Sequence, residues 1–159
     1  MNIEPRTTLF YVDDNPRSSQ LLAGVLEQCG FTVITANDPV EALRLCKKIS
    51  FDLALLDYEM PQMTGAQLAQ EMKFLLPDIP VVLISGYTNL PATELLFADA
   101  HFGFGTSLDD LLWTMRVLVR TPVPVVADNH STMRNSTIRN SMMRNSVMRS
   151  SMARNADST

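Results

Sequence analysis

The chain has 159 residues, 46% of them hydrophobic and 19% charged, with a net charge of −4, enough for one packed core and too few for two ordinary domains. The charge is split: residues 1–121 hold 8 Lys/Arg against 15 Asp/Glu, a net −7, whereas residues 122–159 hold 5 Arg against 2 Asp, a net +3. An acidic body argues against duplex DNA as a direct ligand, because phosphate contacts need Lys and Arg on one face, and no direct DNA binding is expected. The N-terminus matches neither a signal peptide nor a membrane span, so a soluble cytoplasmic protein without a membrane partner is expected.

The first apolar run, residues 9–12, ends in Asp13-Asp14 and reads as a buried strand. Asn15-Pro16 then opens a helix in which Leu22, Val25, Leu26 and Cys29 follow i, i+3, i+4, i+7 spacing, and Gly30 stops it. A second strand at 31–35 leads to a helix capped by Asp38, with Pro39 first and Glu41 three residues after the cap. It ends near Lys47 and Lys48, where positive charge suits the helix dipole. The third strand, 53–56, runs into Asp57, and a helix from about residue 66 to 76 is halted by Pro77. The fourth strand, 81–84, ends in Ser85-Gly86, and a short helix is expected within 89–99, with Pro91 restricting its start. A weak fifth strand at 101–104 precedes the clearest helix, which carries Leu108, Leu111, Leu112, Met115 and Val119 on one face after a Ser107 cap. Cys29 and Cys46 fall inside helices without metal-ligand spacing and read as reduced core thiols.

Residues 122–130 form a Pro/Val-rich connector, and residues 131–159 repeat every five residues, with Arg134, Arg139, Arg144, Arg149 and Arg154 in register. A five-residue step turns an α-helix by about 500°, so these arginines make no stripe; in a strand they would alternate faces. The Ser, Asn and Arg enrichment favours a disordered tail. The competing reading is a β-solenoid with five residues per side, since Ser136-Thr-Ile-Arg-Asn loosely resembles the pentapeptide-repeat family. So short an array would need a partner or a second copy to bury its core. An anionic partner or self-association is the expected role of such a tail.

Alternating short apolar runs and amphipathic stretches predict a parallel sheet with helices on both faces. Ligands of such sheets bind beyond the carboxyl ends of the strands, where Asp13, Asp14, Asp57 and Ser85 would stand. Converging carboxylates repel, and a bound cation or raised pKa values must relieve that repulsion. An all-oxygen site suits Mg²⁺. With it, Asp57 can act as a nucleophile toward a phosphoryl group and Ser85 can donate a hydrogen bond, with Gly86 leaving space beside it. Paired aspartates also serve as turn or cap residues, so Asp13-Asp14 alone leaves both readings open.

The stretch Asp57-Tyr-Glu-Met-Pro-Gln-Met-Thr-Gly65, with Val12-Asp13-Asp14-Asn15 upstream, resembles the signature of response-regulator receiver domains. The resemblance covers about residues 7–120 and implies a flavodoxin-like (βα)5 doubly wound α/β fold with strand order 2-1-3-4-5. It implies that Asp57 is the phosphoacceptor, that Asp13, Asp14, Asp57 and the Glu59 backbone carbonyl hold Mg²⁺, and that Ser85 is the switch hydroxyl. A histidine kinase or histidine phosphotransfer protein would be the partner, and an unidentified downstream protein the target. The domain would be a signalling module, at most catalysing its own phosphorylation. The layout is a receiver at 1–121, a linker at 122–130 and a tail at 131–159; no output domain is read after the linker, so a stand-alone receiver is expected.

Two positions depart from the family. Phe104 stands where receivers carry a lysine, and His101 stands at the aromatic switch position three residues earlier. A histidine there either titrates near neutral pH or packs half-buried. The missing lysine leaves a second reading, a phosphorylation-independent pseudo-receiver that binds partners, with the Arg-rich tail contributing. Tyr58, Glu59 and Tyr87 would flank the site and govern access of water; Phe102 and Trp113 read as core or partner-facing surface.

Overall fold

The computed structural model describes residues 6–103 and 105–119, all within the unit Met1–Val123. Phe104, the 122–130 connector and the repeat at 131–159 lie outside the described residues. Strands β1 (Thr8–Val12), β2 (Thr32–Ala36), β3 (Leu53–Asp57), β4 (Val81–Ile84) and β5 (Ala100–Phe102) form one parallel sheet in the order β2-β1-β3-β4-β5. Helices α1 (Pro16–Gln28), α2 (Pro39–Cys46), α3 (Gly65–Leu75) and α4 (Leu108–Val119) cover it.

Period-two alternation explains why the central strands are apolar throughout. Phe10 and Val12 of β1, Ala54 and Leu56 of β3, and Val81 and Leu83 of β4 pack with Ala42 and Cys46 of α2 and with Leu68, Ala69 and Met72 of α3. Leu9, Tyr11, Leu53, Leu55 and Val82 pack on the other face with Leu26 of α1 and Leu111 and Met115 of α4. Leu108 opens α4 but stays exposed. Cys46 is buried as expected, whereas Cys29 is only half-buried at the end of α1; both thiols are free.

The caps agree with the sequence. Asn15 Oδ1 accepts from the N–H groups of Arg17 and Ser18, Asp38 Oδ1 from Glu41 N–H and Ser107 Oγ from Asp110 N–H. Gly30 follows α1 with φ +96°, a left-handed conformation that glycine takes without a Cβ penalty.

The helix expected within 89–99 is not formed, so the (βα)5 pattern carries four α-helices among the described residues. Residues 92–97 make turns instead, held by i→i+3 bonds from Glu94 N–H to Pro91 O (3.0 Å) and from Leu95 N–H to Ala92 O (3.2 Å). Pro91 has no N–H and keeps Leu90 out of helical geometry. Leu95, Leu96 and Phe97 are consecutive, so one turn cannot bury them together; Leu95 packs on the core while Leu96 and Phe97 stay exposed. Strand β5 also starts and ends earlier than the predicted 101–104. A Cβ on Gly103 would overlap the Tyr87 carbonyl oxygen and come within 2.8 Å of Thr88 Cα, so the chain there lies flat under the loop after β4.

The amino ends of β4 and β5 are tied by a side-chain knot. Asp99 Oδ2 accepts from Lys73 Nζ (2.7 Å) and Val81 N–H (2.8 Å), and Lys73 Nζ also donates to Ile79 O (2.8 Å). Asp99→Ala is expected to lower unfolding stability by ~1–3 kcal/mol, because it strips the partner from a strand N–H and a half-buried ammonium. Urea denaturation monitored by circular dichroism checks this; a change within ~0.5 kcal/mol, typical of an ordinary surface substitution, would contradict it.

Candidate functional site

Pairing continues one residue past three strands at their carboxyl ends. Asp13 N–H donates to Ala36 O (3.1 Å), Tyr58 N–H to Ile84 O (2.8 Å) and Ser85 N–H to Phe102 O (3.0 Å). The side chains that emerge there are therefore carried by rigid backbone. Asp13, Asp14 and Asp57 each present a carboxylate oxygen, and these atoms all lie within 4.8 Å of one another. Asp13 is buried, and the other two are half-buried.

Asp13 is the most constrained of the three. Its Oδ1 accepts from Asn15 N–H (2.9 Å) and its Oδ2 from the Tyr11 hydroxyl (2.6 Å), while its backbone carbonyl accepts from Asn37 Nδ2 (2.7 Å). Burial, and then the hydrogen bond to Asp13 and its charge, push the Tyr11 phenol far above its ordinary value, so the hydroxyl stays a donor. Asp57 titrates at about 6, raised from 3.8 chiefly by burial and next by the charge of Asp13; a backbone hydrogen bond from Glu59 opposes the rise. Glu59 itself points its side chain to solvent.

Gly65 sets where Asp57 sits. Its N–H donates to Tyr58 O (2.9 Å), and a Cβ there would overlap the Asp57 carbonyl oxygen and come within 2.9 Å of Asp57 C and Tyr58 Cα. Thr64 and Gln67 form a reciprocal capping box just before it, which fixes the first turn of α3 against the end of β3.

Ser85 is half-buried and fully engaged. Its Oγ donates to Tyr87 O (2.9 Å), accepts from Tyr87 N–H (3.2 Å) and lies 3.0 Å from His101 Nε2. With the hydroxyl proton given to Tyr87, the His101 contact is satisfied when Nε2 carries the ring proton. Burial lowers the His101 pKa, so the imidazole is neutral at pH 7. The structure thus brings His101 to Ser85. Tyr58 meets Tyr87 edge-on at 6.4 Å between ring centroids. A Cβ at Gly86 would come 3.2 Å from Glu59 Oε2, so the outer wall there is a movable side chain.

Phe104, the predicted lysine position, lies outside the described residues. Lys73 is bound at the opposite, amino end of the sheet, and Lys47 and Lys48 follow the end of α2. Among the described residues no lysine is recorded bonding to the carboxylates. Tyr11 and Asn37 were not anticipated as site residues, although i, i+2 spacing on a strand puts Tyr11 and Asp13 on one face.

Three oxygen donors with no nitrogen or sulfur, crowded enough that burial and mutual charge hold Asp57 near pH 6, fit a hard divalent cation such as Mg²⁺. The same crowding leaves Asp57 ionised at pH 7 and poorly stabilised, which suits a nucleophile.

The model of the response regulator receiver domain matches residues 9–103. The response regulator TrrA of Thermotoga maritima, solved in complex with Mg²⁺-BeF, is 27% identical, with a TM-score of 0.66 over 70% of this chain and 98% of that one. TrrA in complex with the histidine kinase ThkA aligns with a TM-score of 0.65 and 27% identity, over 70% of this chain and 97% of the other. The transcriptional regulatory protein GlrR of Escherichia coli is 27% identical over 72% of this chain, and the sensor histidine kinase RcsC of Salmonella typhimurium is 40% identical over 46% of it. The matched stretches amount to 30% of GlrR and 8% of RcsC.

Proposed function

The chain belongs to the response regulator receiver domain family, and from that membership we propose that it takes a phosphoryl group on Asp57 in two-component signalling, as a cytoplasmic domain that acts through protein contacts. The observation that carries this reading is the meeting of three carboxylates at the strand ends, with Asp57 raised to about 6. An Asp57 carboxylate oxygen attacks the phosphorus of a phosphohistidine donor. A P–O bond forms, the P–N bond breaks, and its electron pair leaves with the imidazole, which takes up a proton. Mg²⁺ held by Asp13, Asp14, Asp57 and the Glu59 backbone carbonyl would offset the charge on the phosphoryl oxygens. Ser85 reaches a phosphoryl oxygen by giving up its bonds to Tyr87 and His101, and so joins phosphorylation to the β4–β5 end of the sheet. The complex of TrrA with a histidine kinase supports a histidine kinase, or a histidine phosphotransfer protein, as the donor. Among the described residues no helix is long and apolar enough to cross a membrane.

Incubation with Mg²⁺ and a small phospho-donor is expected to add one phosphoryl mass to the wild type and none to Asp57→Asn. Absence of any gain from several donors would reject the assignment. In the same series, Phe104→Lys restores the cation that the family places at that position. Because a charge-assisted hydrogen bond is worth ~1.5–3 kcal/mol, affinity for the phosphoryl mimic beryllium fluoride should rise by roughly 10- to 100-fold. An unchanged affinity would show that position 104 does not reach the phosphoryl site.

A second reading draws on the lysines: Lys73 is committed to Asp99 at the far end of the sheet, and position 104 carries Phe. A pseudo-receiver would bind its partner with equal affinity in the wild type and Asp57→Asn, and a clear loss in the variant excludes it. The Arg-rich tail would add salt-sensitive attraction to an anionic partner or to a second copy.

A further inference from the structure

We infer that Tyr11 is a positioning residue for the cation: its buried hydroxyl holds the Asp13 carboxylate in the orientation that keeps an oxygen beside those of Asp14 and Asp57. The inference rests on the metal reading above and adds to it a residue from the hydrophobic core. Tyr11 is 1% exposed and packs among Leu9, Leu26, Leu53 and Leu55. The strand repeat turns it to the same face as Asp13, two residues on, so its ring runs along the sheet and its hydroxyl ends 2.6 Å from Asp13 Oδ2. The other oxygen, Oδ1, is held by Asn15 N–H at 2.9 Å, and Asn15 is in turn fixed as the cap of α1. Asp13 is thereby held from below by the core and from the side by a helix cap. Each oxygen spends one acceptor site on these bonds and keeps another for a ligand.

Asp13 is 6% exposed and Tyr11 1%, so the bond between them is buried. Phenylalanine at position 11 would fill the core equally well but leave Oδ2 facing hydrocarbon. A carboxylate in that position turns toward water, and turning breaks the Asn15 bond and carries the ligand oxygen away from its neighbours. Outer partners that orient a metal ligand typically change affinity by ~10–100-fold when removed.

Calorimetric titration of Mg²⁺ into the metal-free protein at pH 7.5 tests the inference. Tyr11→Phe should bind Mg²⁺ about tenfold or more weakly than wild type, while its far-ultraviolet circular dichroism is unchanged. In an Asp13→Asn background the same change should have no further effect, because Tyr11 acts through Asp13. Equal Mg²⁺ affinity in wild type and Tyr11→Phe overturns the inference and leaves the metal reading standing; no Mg²⁺ binding by wild type overturns both. A second measurement needs no variant: the Tyr11 ¹³Cζ resonance should move during the titration with the calorimetric midpoint. A resonance that stays fixed while Mg²⁺ binds would show that the hydroxyl does not sense the site.

Discussion

Gly65→Ala is expected to lower unfolding stability by ~2–4 kcal/mol and to weaken Mg²⁺ binding with it. The added Cβ would overlap the Asp57 carbonyl oxygen and press within 2.9 Å of Asp57 C and Tyr58 Cα. These are backbone atoms, so no rotamer change relieves the contact. One side must move, and the pairing decides which. Strand β3 is paired on both sides, to β1 and to β4, with Asp57 opposite Ile84, whereas the start of α3 is held by the Thr64 cap and the Gly65 bond to Tyr58. The start of the helix gives way, losing a backbone hydrogen bond worth ~1 kcal/mol, on top of overpacking strain of ~1–3 kcal/mol. The loop between Asp57 and Gly65, which carries Glu59, is pulled with it. Gly24→Ala is the matched control: a Cβ there meets nothing within 4 Å, and inside α1 alanine should stabilise by ~0.5–1 kcal/mol. Urea denaturation of the two variants with wild type measures both signs. A Gly65→Ala midpoint equal to wild type would show that the close approach is not a constraint.

Much of this site could be read from letters because its parts are local signals. Asn15-Pro16, Asp38-Pro39 and Gly30 mark helix ends through bonds and φ values that involve only near neighbours, and Asp13-Asp14 and Asp57 each close an apolar run. The Thr64 and Gln67 capping box was equally readable, and recognising it moves the start of the third helix to Gly65. The segment within 89–99 folds otherwise than its letters suggest, because a few apolar residues near Pro91 carry no period long enough to tell a helix from turns that pack one leucine. Two features belong to the fold alone. The closeness of Gly65 to Asp57 depends on how α3 returns over β3, and the pairing of Ser85 with His101 depends on β4 lying beside β5. The Tyr11 bond lies between these cases: alternation gives the shared face, and only packing shows that the phenol reaches the carboxylate.

In metal-free buffer at pH 8, Asp57→Asn is expected to be more stable than wild type, and saturating Mg²⁺ should erase or reverse that order. The carboxyl of Asp57 is raised from 3.8 to about 6 by burial first and the charge of Asp13 next. Between those two values the native state keeps a proton that the unfolded chain releases, so stability falls as pH rises through the window and is lowest above it. Taken at face value the shift exceeds ~2 kcal/mol; solvent reaches the half-buried group, and ~1–2 kcal/mol is the part to expect after screening. Asparagine removes the charge without emptying the space, so the variant should gain that amount above pH 6 and nothing near pH 4. His101 acts in the opposite sense, since its lowered pKa makes stability fall as pH drops below the ordinary histidine range. It is present in both proteins, and the difference between them isolates Asp57. Mg²⁺ at a hundred times its dissociation constant would stabilise wild type by ~2.7 kcal/mol, more than the cost of the buried Asp57 charge beside Asp13, whereas Asp57→Asn offers one charged ligand fewer. Thermal melts in EDTA and in Mg²⁺ across pH 4–8 make the comparison. A wild type more stable than the variant in EDTA at pH 8, or indifferent to Mg²⁺, would mean that burial and the neighbouring carboxylates do not raise the cost of the Asp57 charge enough to call for a cation.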